Sequence, residues 1–207
     1  MSKILCIFPA EDNTEFLRPV FDDLNSRDYV YGLDKSSLED EYIDEIESVS
    51  KNVDMIFFLG HGSSHTLYGD NNNKLFDDKF LFPLIGKKLI LFACKTADFA
   101  RFHKLDNTLG FGFIPSSEED FEGVRFHNLG IAKLGTLDVD YLRRSISDIL
   151  LKTLKECDIF NLKDFMRSFS FNANLEIVKY LTKRKDISNY RLLADVIYYI
   201  NKDMTLV

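Results

Sequence analysis

Three short stretches of this chain are apolar almost without interruption: residues 3–9 (KILCIFP), 55–60 (MIFFLG) and 88–94 (KLILFAC). A strand with one wet face alternates apolar and polar residues; a continuous run must be covered on both faces. Between the runs the period changes. Leu38, Tyr42, Ile43, Ile46 and Val49 fall on one helical stripe, and the acids around them face water. Buried strands alternating with amphipathic helices restrict the chain to an α/β fold, a mainly parallel sheet joined by right-handed crossovers.

Pro19 suits the first turn of a helix running through Leu24, and residues 29–33 (YVYGL) are a second short strand. Ser36 and Ser37 are candidate caps for the helix that reaches about Val49. A Gly-Asp-Asn turn at 69–71 marks a small hairpin or loop before the fourth strand. Thr96 is placed to cap a short helix to about His103, and residues 108–115 (TLGFGFIP) form a fifth strand stopped by Pro115. Residues 116–136 are loop-rich, with a sixth strand expected within 124–135. From Asp138 the pattern is helical: Val139, Leu142, Ile146, Ile149, Leu150 and Leu154, then Leu162, Phe165, Met166 and Phe169. Residues 172–174 (NAN) are read as an interruption, after which Leu175, Val178 and Leu181 continue. A last helix carries Leu192, Leu193, Val196, Ile197 and Ile200. These stripes are expected to be core. The chain is read as one domain, with an α/β core at 1–136 and a helical part at 137–207 packed on it.

Charge and cysteine usage narrow the function. A net charge of −7 over 207 residues argues against general binding to nucleic-acid phosphates, and Lys183, Arg184 and Lys185 are the sole basic cluster. No apolar run approaches the roughly 20 residues that span a membrane. The first strand lacks a following cleavage pattern, so a cytoplasmic protein is expected. Cys6, Cys94 and Cys157 are odd in number and far apart, which implies no disulfide framework and no paired-cysteine metal site; no cofactor is expected.

Two strand ends carry reactive side chains. The third strand runs into Gly60-His61-Gly62, and the fourth ends on Cys94, 33 residues after His61. Ligands of parallel sheets bind beyond the carboxyl ends of the strands. A thiolate is the reactive form of cysteine, and a helix starting beside Cys94 is expected to favour it. An imidazole can take and return a proton during acyl transfer, and the amides of Gly62 and Cys94 are candidate oxyanion donors. A lone cysteine in an apolar strand is more often core, and a lone histidine more often a turn residue; the pair carries more information than either. His61-x-x-x-His65 has zinc-like spacing, but that spacing needs a helix and this is a glycine turn. GHGSSH falls short of a dinucleotide fingerprint, with His65 where the third glycine belongs.

Strand-His-Gly followed by strand-Ala-Cys resembles the caspase-like superfamily of cysteine peptidases (clan CD), which includes caspases, metacaspases, separases, gingipains and bacterial CHAT domains. GHGSS is similar to their histidine motif and LFACKT to their cysteine motif, nearest to the CHAT type. The resemblance covers roughly residues 3–115. It implies a caspase-like three-layer sandwich, with a mainly parallel sheet of five to six strands between helices. It implies His61 as general acid/base, Cys94 as nucleophile and Gly62 as oxyanion donor. Phe92 stands two before the cysteine, where caspases and metacaspases carry a polar or acidic residue of the specificity pocket. Substrate preference thus stays open between an apolar residue against Phe92 and a basic one reached by Glu11 or Asp12. The expected activity is cysteine endopeptidase on a protein substrate, regulated by the acidic loop 116–130 or by an activating or inhibitory protein partner. The competing expectation is a catalytically inactive interaction module on the same fold.

Overall fold

The computed structural model of the protein describes residues 2–34, 40–69, 73–117, 120 and 135–207. Its centre is a six-stranded sheet in the order β2-β1-β3-β7-β8-β9, built from Ile4–Phe8 (β1), Val30–Asp34 (β2), Met55–Leu59 (β3), Lys88–Phe92 (β7), Thr108–Gly110 (β8) and Thr205–Leu206 (β9). The first five run parallel and β9 is antiparallel to β8. His61–Gly62 (β4), Leu67–Tyr68 (β5) and Lys74–Phe76 (β6) make a small antiparallel sheet inserted between β3 and β7, where a hairpin was expected.

The continuous apolar runs are explained by helices on both faces. Cys6, Phe8, Phe57, Leu59, Ile90 and Phe92 project to one side and are buried under Arg18–Asn25 (α1), Thr136–Glu156 (α4), Leu162–Lys183 (α5) and Tyr190–Lys202 (α6). Leu5, Ile7, Ile56, Phe58, Leu89 and Leu91 project to the other, under Asp40–Ser50 (α2), the hairpin and Thr96–Phe102 (α3). The result is a three-layer α/β architecture with a helical C-terminal region. No helix among the described residues is long and apolar enough to cross a membrane.

Several local expectations change. The edge strand β9 comes from the extreme C-terminus, and the strand expected within 124–135 lies outside the described residues, except Gly135, which precedes α4. Ser36 and Ser37 also lie outside them. The fifth strand is three residues long rather than eight. Thr96 does not cap α3 but opens it; its hydroxyl donates to Leu91 O (2.7 Å) or Ala93 O (3.0 Å) and accepts from the Phe111 amide (2.8 Å), tying β7 to the segment after β8. Helix α5 runs unbroken through 172–174 because Asn172 is buried and satisfied, its Nδ2 donating to Glu156 Oε2 (2.8 Å) and Ser168 O (3.0 Å). Its second half buries Asn172, Ala173, Glu176 and Tyr180, while Leu175, Val178 and Leu181 are exposed. Glu176 tolerates that position because Ser145 and Lys179 each donate to it at 3.0 Å.

Candidate active site

Strands β3 and β7 are neighbours, with Leu59 opposite Phe92. His61 and Cys94 each follow two residues later, so the sheet carries them to the same height at its carboxyl edge. The Gly60 amide donates to Phe92 O (3.2 Å), extending the pairing to the start of the turn. Both residues line one small cavity with Thr14, Phe16, Leu17, Gly60, Phe92, Ala93, Ile114 and Ser116. Gly62 shows how closely the two turns meet. A Cβ placed there would lie 2.7 Å from Cys94 O and 3.1 Å from Ala93 Cβ, so only glycine admits the contact.

His61 is half-buried, and its Nε2 is 3.3 Å from Glu11 Oε2. Glu11 leaves the end of β1, the strand on the other side of β3. Glu11 and Asp12 are the residues expected to reach the substrate pocket. Glu11 faces the histidine instead, Asp12 is exposed, and neither lines the cavity. Phe92 does line it, with its ring held edge-on to Phe111 at 4.8 Å. His65, four residues from His61, turns elsewhere: its ring meets Phe102 edge-on at 4.3 Å, and its Nδ1 is 2.9 Å from Ser64 Oγ.

Cys94 is clasped by one backbone unit. Its thiol donates to Ile114 O (3.1 Å), and its sulfur accepts from the Ile114 amide (3.3 Å). Burial pushes the thiol up to about 11. The Ile114 amide and Lys95 pull it down, and the Asp120 carboxylate pushes it further up. The expected pull of the start of α3 toward the thiolate is outweighed here: desolvation of the charged form prevails. Lys95, between the cysteine and the helix, sits in the left-handed region with φ 56°. Cys157 is likewise held up at about 11 by burial, and the fully buried Cys6 is pushed up well above the thiol range.

The segment around Ile114 is itself fastened. Ser116 O accepts from Arg143 Nε of α4 at 2.8 Å and from its Nη2. Asp120 Oδ2 accepts from the amides of Ser116 (2.7 Å) and Ser117 (2.9 Å). The Lys95 amide donates to Gly112 O (2.6 Å). The cavity left beneath is about 20 Å³, room for about one water. Of the loop 116–130, residues 118, 119 and 121–130 lie outside the described residues. Ile114, Arg143 and the Glu11–His61 contact were not found from the sequence. Arg143, two before Ser145 in a helical stripe, carries no local signal that separates it from a solvated residue. No protein-family model matches the chain, and no curated protein matches it in sequence.

Proposed function

We propose that the protein is a caspase-like cysteine endopeptidase in which Cys94 is the nucleophile and His61 the general acid/base. The observation that carries this reading is the common height of the two side chains on adjacent parallel strands, opening into one cavity at the edge where such sheets do chemistry. His61 takes the thiol proton as the sulfur attacks the peptide carbonyl carbon. The C–N bond breaks, the amine leaves with that proton, and water then cleaves the thioester to regenerate the thiol. Amides at the Gly62–Cys94 contact are the candidate donors to the oxyanion. Phe16, Leu17, Phe92 and Ile114 favour a small apolar side chain over a basic or acidic one. Three unpaired cysteines fit a cytoplasmic setting.

The resting geometry is restrained. A thiol at about 11 is overwhelmingly protonated at neutral pH, so substrate, or a protein partner acting on segment 114–117, has to displace Ile114 before attack. The same restraint supports a second reading, an inactive interaction module that keeps the fold and buries the thiol. A peptide-library cleavage assay separates them. The enzyme reading expects cleavage that Cys94→Ala abolishes and His61→Ala lowers severely, both variants remaining folded. Undiminished cleavage by Cys94→Ala refutes the assignment. No cleavage by the wild-type chain or by Arg143→Ala, in which the segment is loosened, favours the binding module.

A further inference from the structure

We infer that Glu11 is the positioning carboxylate of His61, so that three neighbouring strands deliver a Glu11–His61–Cys94 row and the imidazole exchanges its proton through Nδ1. This rests on the reading of His61 and Cys94 as the acid/base and nucleophile. The row follows from sheet order. Strands β1, β3 and β7 lie side by side, with Ile7 opposite Phe58 and Leu59 opposite Phe92. Glu11 lies three residues past the end of β1, and His61 and Cys94 lie two past the ends of β3 and β7. The carboxylate and the thiol thus flank the histidine.

Glu11 is held by its own backbone rather than by chance. Its amide donates to Thr14 Oγ1 (3.1 Å), and its carbonyl accepts from the Thr14 amide (2.8 Å). The Thr14 hydroxyl, buried, donates to Glu11 O (3.2 Å) or Pro9 O (3.5 Å). This closed turn fixes where the side chain starts. One carboxylate oxygen reaches Nε2 of His61; the other, Oε1, is buried with no hydrogen-bond partner among the described residues. A buried orphan oxygen costs stability and calls for an explanation. An ion pair on the surface would leave both oxygens to water; here only 26% of the His61 side chain and 21% of the Glu11 side chain are open to it.

The chemistry follows from donor and acceptor roles. An ionised carboxylate only accepts, so the hydrogen of a neutral imidazole belongs on Nε2. Nδ1 is then bare and can take the thiol proton. Without Glu11 the ring samples both tautomers, and the one protonated at Nδ1 cannot serve as base. A glutamine at 11 has an amide that donates as well as accepts, so it does not select the tautomer.

Two readouts test this. Long-range proton–nitrogen correlation on the full chain labelled with ¹⁵N-histidine, with His61 assigned by loss of its signals in His61→Asn, reads the tautomer directly. The wild type is expected in the Nε2–H form, and Glu11→Gln as a mixture of the two. In peptide cleavage, Glu11→Gln is expected to lower kcat by about 100-fold with KM little changed. A specificity role for Glu11 would instead raise KM, and only for basic substrates. An Nδ1–H ring in the wild type, or an unchanged tautomer in Glu11→Gln, overturns the inference. The ring measurement decides it even in a chain that cleaves no peptide, whereas absence of cleavage with the tautomer as expected counts against the peptidase reading alone.

Discussion

Replacing Gly62 by alanine tests how tightly the histidine and cysteine turns are docked. The new Cβ would start 2.7 Å from Cys94 O, a backbone atom with no rotamer to yield, and 3.1 Å from Ala93 Cβ. Restoring an ordinary contact of about 3.4 Å requires the two turns to part by about 0.7 Å. Overpacking of this kind costs about 1–3 kcal/mol. For a chain of this size that is a fall in Tm of roughly 2–12 °C. The catalytic penalty is of similar size, because a misplacement near 1 Å between reacting groups costs about 100-fold, or about 2.7 kcal/mol. Gly62→Ala is therefore expected to keep its fold by circular dichroism while kcat for peptide cleavage falls roughly 10–100-fold. Gly86→Ala is the control. Gly86 has φ +75° with nothing within 4 Å of an added Cβ, so alanine there strains the backbone and lowers Tm without touching the site. Undiminished kcat and unchanged Tm in Gly62→Ala would refute the close docking of the Gly62 turn against Cys94.

Two other perturbations read the restraint on the thiol. Arg143→Ala removes a charged donor to Ser116 O worth about 1.5–3 kcal/mol, so iodoacetamide labelling of Cys94, followed in a Cys157→Ser background, should quicken about tenfold or more; an unchanged rate would show that the segment over Cys94 is not held by α4. Burial holds the Cys94 and Cys157 thiols at about 11, against about 8.5 in an unfolded chain. The folded state keeps protons that the unfolded chain releases, so this stabilisation is full below about pH 8.5 and lost as pH rises toward 11. Urea midpoints should fall over that window, less steeply in Cys94→Ala, and parallel slopes in the two proteins would contradict the burial of the thiol.

The sequence alone determined the α/β class and the two strand ends. Runs such as 55–60 and 88–94 are apolar on both faces, and only a covered parallel sheet satisfies that requirement. His61 and Cys94 were legible because each ends such a run beside small residues. Periodicity states which face of an element is buried, not which element covers it. Leu175, Val178 and Leu181 make as regular a stripe as Phe165 and Phe169, yet α5 turns the first set outward, because Ser145 and Lys179 satisfy Glu176 on the inner face. Strand β9 has two residues, too few to show a period, and exists because the edge of β8 was open to it. The clasp on Cys94 joins residues 20 apart, and the carboxylate on His61 comes from 50 residues upstream. Tertiary structure alone decided these, since such contacts depend on atoms that a folded sheet brings within about 3.3 Å and that the chain order keeps apart.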